Sequence, residues 1–324
     1  MFNWNIAGHE NIKKFLENSV IREKIANAYL FYGPEKVGKK DMARQFAKSL
    51  FCVNKDRPCE ECLNCKQIEA NIYPDFFRVA RMEEKGNIVI EQVRELREKF
   101  YRTSFLSGYK AGIIEEAEFL TDSAWNSFLK ILEEPPSMTV IIIIANKIAP
   151  IPATIISRCQ RIKFSLVPED EITEHLCERG IERLSARRIA RIAGGKIGLA
   201  REFANSRELF DKYNEKILTF LRFFEKDMLL KEKNDVIAAI SKEREQASES
   251  FDIIASLLRD FLLVKTNPDL VVNLAHKEKM IDIGKRFESR KISQMLENCV
   301  KFKSYLDSNV NRKLLLENMA LEME

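Results

Sequence analysis

Two groups of residues in this chain have the types and spacing to do chemistry: four crowded cysteines, and a lysine behind two glycines. Cys52, Cys59, Cys62 and Cys65 lie in "CVNKDRPCEECLNC". Two overlapping C-x-x-C steps with a fourth thiol upstream can surround one tetrahedral Zn²⁺. Closed four-thiolate coordination leaves no open position, so the expected role is a structural staple. An iron–sulfur cluster and an unmetallated loop are the alternatives. Cys159, Cys177 and Cys299 are scattered, which does not suggest the disulfide framework of a small secreted domain.

The second group is "FYGPEKVGKKD", in which Gly33, Gly38 and Lys39 keep the frame G-x-x-x-x-G-K. In a P-loop the glycines let backbone N–H groups close around phosphates, and the lysine adds charge. The next position normally carries a hydroxyl that ligates Mg²⁺. Lys40 stands there instead, and its ammonium repels the ion, so the loop is expected to be inherited but disabled.

Further along, "GIIEEAEFL" ends a strand-like run in Glu115 and Glu116, where P-loop ATPases hold Mg²⁺ and polarise water. The buried run "TVIIIIAN" ends in polar Asn146, and "SRC" carries Arg158 just before another strand-like segment. An arginine at a domain edge can reach a neighbour's nucleotide and stabilise transferring-phosphoryl charge; most such arginines are solvated surface groups.

These residues need elements to position them. "AYLFYG", "DFFRVA", "KAGIIEEAE" and "TVIIIIAN" are short β-branched or aromatic runs of the kind found in buried parallel strands. Helical stretches lie between them, among them "KKDMARQFAKSLFC", "IEQVRELREKFYR" and "SAWNSFLKILEE", the last stopped by Pro135 and Pro136. Strand, crossover helix and strand in repetition predict a parallel sheet covered on both faces. After Phe164 only helical periodicity follows, with Pro168 and three acids expected in the first turn of "VPEDEITEHLCERG". The expected organisation is an α/β domain over 1–166 with its cysteine insert at 52–65, a small helical domain over 167–207 and a larger helical domain over 208–324.

The composition is that of a soluble globular protein, with 45% hydrophobic and 31% charged residues. A balance of 53 basic and 49 acidic side chains permits contact with nucleic acid without arguing for it. The N-terminal stretch lacks the pattern of a signal peptide, and no apolar run is long enough to span a bilayer. A cytoplasmic protein with no membrane contact is expected. In "VRELREKFYR", Arg94, Arg97 and Arg102 could follow a duplex backbone, although a solvated face pairing with Glu91, Glu95 and Glu98 explains them equally well.

Taken in order, "GPEKVGKK", the cysteine insert, "NIYPDFF", "IIEEAEFLTDSAWNSFLKILEEPP" and "ATIISRCQRIKF" cover Ala28 to Phe164. Together they resemble the delta-prime subunits of bacterial DNA polymerase III clamp loaders, relatives of the tau/gamma subunits in the AAA+ class. The resemblance implies an AAA+ P-loop-type sheet domain, a helical lid and an all-α collar that joins a hetero-oligomeric ring. It implies work within the DNA-directed DNA polymerase (nucleotidyltransferase) holoenzyme during DNA replication, beside tau/gamma and delta subunits. There the ring loads the sliding clamp onto primed DNA. It also implies a subunit without ATPase of its own, which offers Arg158 in trans to the ATP of an adjacent tau/gamma subunit and does not itself use ATP/Mg²⁺.

The departures from an active site run in one direction. Lys40 replaces the hydroxyl, and in "AGGKIGLARE" Gly198 falls where active relatives carry a sensor arginine, with Arg201 a poor substitute. An ATP-hydrolysing motor of the tau/gamma type is the alternative, and a stand-alone zinc-containing DNA-binding module is a third.

Overall fold

The structure, a computed structural model, describes residues 2–81, 86–104, 108–225, 228–273, 276–306 and 310–323. Residues 226–227, 274–275 and 307–309, within the stretch after Phe164 where helical periodicity is expected, lie outside the described residues. The chain divides into two compact units, Met1–Arg201 and Glu202–Glu324.

Each strand-like run of the first unit forms a strand. These are β1 (Ala28–Tyr32), β2 (Phe76–Val79), β3 (Lys110–Ile114), β4 (Thr139–Ala145) and β5 (Gln160–Lys163). They pair in parallel in the order β2-β3-β4-β1-β5, so β1 lies between β4 and β5. α1 (Glu10–Ile21) precedes β1, and between the strands run α2 (Lys39–Phe51), α3 (Leu63–Glu69), α4 (Ile90–Tyr101), α5 (Asp122–Glu133) and α6 (Ala153–Ile156).

Every residue of β4 is buried, because alternate side chains feed two cores. Val140, Ile142 and Ile144 face one core with Phe31, Met42 and Phe46. Ile141, Ile143 and Ala145 face the other with Phe100, Trp125 and Phe128. At the C-terminus of α4, the buried Lys110 ammonium donates to Phe100 O at 2.8 Å and to Arg102 O, covering carbonyls that the helix leaves unpaired.

Three further helices complete the unit: α7 (Glu169–Glu178), α8 (Arg183–Ala193) and α9 (Ile197–Asn205), the last running across the division at Arg201. Pro168 is the residue before α7 rather than within its first turn, since its ψ of 145° is extended. Gly194, at φ 57°, ends α8.

The second unit is helical throughout its described residues, apart from connections: α10 (Arg207–Phe223), α11 (Leu230–Ile240), α12 (Arg244–Thr266), α13 (Lys277–Arg286), α14 (Ser289–Tyr305) and α15 (Arg312–Glu322). Its core gathers around α12 through Phe251, Ile254, Leu258 and Phe261. Among the described residues, no helix is long and apolar enough to cross a membrane.

Candidate functional site

The glycine loop joins β1 to α2, and Gly38 is the residue that caps the helix start. Gly33 is required by close approach: at φ 143°, a Cβ there would lie 2.2 Å from the carbonyl oxygen of Phe164. The buried Lys39 ammonium turns back into the loop. It donates to Gly33 O at 2.6 Å, to Pro34 O and to Asn146 Oδ1 at 2.9 Å. Burial pushes its pKa down to about 8, against the attraction of Glu118 and Glu35. Asn146, just past the end of β4, thus meets Lys39, and its own N–H donates to Glu118 Oε1 at 3.2 Å.

Lys40 turns the other way, toward the residues that follow β3. Its Nζ lies 2.9 Å from Glu115 Oε2 and 3.1 Å from Glu116 Oε1. Glu115 also accepts two bonds from Arg78, at 2.6 Å from Nε and 3.0 Å from Nη2. Arg81 Nε stands 3.5 Å from Glu116 Oε2. Burial alone would raise the Glu115 carboxyl, but the bonds from Arg78 and Lys40 hold it below its usual range. Burial likewise opposes charge on Lys40, and the two glutamates overcome it and raise its pKa.

A Mg²⁺–nucleotide of the ordinary P-loop kind does not fit these residues. Mg²⁺ demands oxygen ligands in near-octahedral geometry, and the oxygens of the acidic pair already face Lys40, Arg78 and Arg81.

The start of α9 closes over the same loop. Gly198 N–H donates to Lys36 O at 2.7 Å, and a Cβ on Gly198 would lie 2.9 Å from that oxygen. Arg201 pairs with Asp41 at 2.8 Å rather than entering the loop. His9 adds a hydrogen bond to Val37 O at 2.8 Å.

Arg158 stands apart from this cluster, in the turn between α6 and β5. Its hydrogen bonds go to Thr154 O (Nη1, 2.9 Å) and Glu133 Oε1 at the end of α5 (Nη2, 2.9 Å). The Arg158 side chain is 38% exposed and that of Glu133 50%, so water competes with the pair and it is easily opened.

The four cysteines do converge. The Sγ atoms of Cys52, Cys59, Cys62 and Cys65 all lie within 4.8 Å of one another, as donors about 2.3 Å from a shared Zn²⁺ require. The N–H groups of Cys62 and Cys65 point at the sulfurs of Cys59 (3.3 Å) and Cys62 (3.5 Å). The Cys62 N–H draws the Cys59 thiol down to about 6, whereas burial pushes Cys52 and Cys65 up. The donor set therefore fits a structural metal. The insert is tied to α2 by the buried Lys48, whose ammonium meets Glu69 at 2.7 Å and Glu60.

Sequence reasoning missed Arg78, Arg81, Lys48 and Glu133. The available signal for the first two was a basic residue near the end of a strand, which becomes informative only when β2 is known to neighbour β3.

The loop after β1, the acids after β3 and the polar end of β4 define a P-loop α/β module of the ATPase type, with an altered cation position. Comparison with known proteins makes this specific. The family model described as DNA polymerase III, delta subunit, matches residues 8–168, and the model of its C-terminal region matches 214–324. DNA polymerase III subunit delta' of Bacillus subtilis (strain 168) is 30% identical over 323 residues, covering 97% of this chain and 95% of that protein. Subunit tau of the same organism is 29% identical over 288 residues, which is 82% of this chain and 51% of tau. A solved Thermotoga maritima protein described as DNA polymerase III, gamma subunit-related, aligns over 97% of each chain at 19% identity and TM-score 0.49. The chain belongs to the delta-prime subunit family of DNA polymerase III.

Proposed function

We propose that this chain is the non-hydrolysing AAA+ subunit of a DNA polymerase III clamp loader, working in a hetero-oligomer with tau/gamma and delta subunits. In this reading it acts as a stator while the assembly loads the sliding clamp onto primed DNA. Residues 1–166 form the AAA+ sheet domain, 167–207 the lid and 208–324 the collar.

The observation that carries the reading is Lys40 Nζ lying between Glu115 and Glu116. An ATPase needs that acidic pair for metal and water, and here it neutralises a lysine. Lys39 and Asn146 remain as scaffold, with Lys39 bonded to loop carbonyls.

The chemistry contributed by the chain is assigned to Arg158, acting in trans on ATP held by a tau/gamma neighbour. A guanidinium has five N–H donors; Thr154 and Glu133 engage two, leaving three for phosphoryl oxygens. Its planar, permanently charged fork suits charge developing on a transferred phosphoryl group. Cys52, Cys59, Cys62 and Cys65 are the ligands of a structural Zn²⁺, which would cross-link the insert and take no part in catalysis.

ATP turnover by the isolated chain tests the assignment. No Mg²⁺-dependent turnover is expected, and Lys39→Ala should change nothing. Turnover abolished by Lys39→Ala would instead identify a motor subunit.

A further inference from the structure

We propose that the Lys40 ammonium is a built-in replacement for the divalent cation of a P-loop site, holding the loop helix to two strand ends without metal. The proposal concerns the folded chain and does not depend on clamp loading.

The geometry is that of a saturated ion cluster. Glu115 Oε1 faces Arg78 Nε, and Glu115 Oε2 faces both Arg78 Nη2 and Lys40. Glu116 Oε1 faces Lys40, and Glu116 Oε2 faces Arg81. Each of the four carboxylate oxygens therefore has a cationic partner from this chain. Three cations against two carboxylates leave the cluster with a formal charge of +1, and a divalent ion would raise it to +3. The low local dielectric around Glu115, whose side chain is 5% exposed, makes such an excess costly.

The cluster also joins elements in the way a metal would. Lys40 comes from the first turn of α2, Arg78 from β2 and Arg81 from just beyond it, and the glutamates from the residues directly after β3. Glu116 sits in a left-handed backbone conformation, at φ 53°, which presents its carboxylate to Lys40 beside that of Glu115. A hydroxyl at position 40 could not span this gap alone; it would need an ion between itself and the acids. The lysine carries its charge covalently and is always in place. Glu118 is a further acid near the loop, one of two that attract Lys39. It takes the Asn146 N–H on one oxygen, its other oxygen is buried without a hydrogen-bond partner among the described residues, and burial raises its carboxyl pKa. It is thus poorly prepared to bind a metal by itself.

The test is thermal unfolding of the full chain, with and without millimolar MgCl₂ at matched ionic strength. Chelators are omitted because they would compete for any metal held by the cysteine cluster. The wild type is expected to ignore Mg²⁺. Lys40→Thr, which restores the hydroxyl and vacates the cation position, should melt about 2–6 °C lower and recover part of that loss with MgCl₂. Mg²⁺ stabilising the wild type as much as the variant would overturn the proposal, as would a Lys40→Thr protein of unchanged stability and no Mg²⁺ response. If that variant does not fold, Mn²⁺ titration of the wild type decides, read by paramagnetic broadening of backbone resonances. Signals of Gly38 to Asp41 and Ile114 to Ala117 should stay sharp, and selective broadening there would refute the surrogate.

Discussion

Replacing Gly198 by alanine sets two effects of known sign against each other. The new Cβ would stand 2.9 Å from Lys36 O and 3.4 Å from the Lys36 C and Cα atoms. A carbon–oxygen contact relaxes to about 3.3 Å or more, so α9 must retreat by roughly 0.4 Å from the loop. The 2.7 Å bond from Gly198 N–H to Lys36 O lengthens with it, and the nearby Arg201–Asp41 pair resists the movement. Overpacking against backbone costs about 1–3 kcal/mol, whereas removing a helical glycine gains about 0.5–1 kcal/mol. The net expectation is a destabilisation of about 1 kcal/mol, or about 2–4 °C in the melting of a unit this size. Calorimetry on wild type and Gly198→Ala measures it. A variant stabilised by about 1 kcal/mol, the propensity gain alone, would refute the close contact.

Two further outcomes follow from groups away from the loop. His175 in α7 is buried with Nε2 unpartnered among the described residues; burial, then Arg179, Arg201 and Lys13, push its pKa from 6.5 to about 4. The unfolded chain then binds a proton that the folded chain refuses, so stability should fall as pH drops from 6.5 toward 4. Urea titrations across that window should show a shallower decline in His175→Leu, and identical slopes would contradict the assignment. Colorimetric titration should find metal bound to the wild type and released by Cys62→Ser, while the circular dichroism of the sheet stays unchanged, because Lys48 still holds Glu60 and Glu69. Wild-type protein purified without zinc would remove the metal assignment.

The residues that the sequence made legible share a property: their meaning is local. Ile141 to Ile144 can only be a doubly buried strand, Pro135 and Pro136 can only stop a helix, and the cysteine spacing brings its own sulfurs together. Lys40 was recognisable as a defect because the loop's frame fixes which position should carry a hydroxyl. What the lysine does there was not legible, since its partners Glu115 and Glu116 are more than seventy residues away. The contribution of Arg78 requires β2 beside β3, a pairing that no periodicity encodes. Gly198 stands where the family resemblance leads one to expect an arginine, and the Lys36 carbonyl that crowds it is something a one-dimensional count cannot bring near. Arg158 was singled out by its motif, whereas the Glu133 that holds it comes from the preceding helix.

The central claim is that this chain acts on nucleotide through Arg158 and not through its own loop. The most direct measurement is steady-state ATP turnover of the loader reconstituted with tau/gamma and delta subunits, comparing wild-type chain with Arg158→Ala and verifying assembly by size-exclusion chromatography. The account predicts intact assembly and loss of turnover at the site that Arg158 faces, by about 10³-fold for an arginine finger. Full turnover from an assembled Arg158→Ala loader would contradict it.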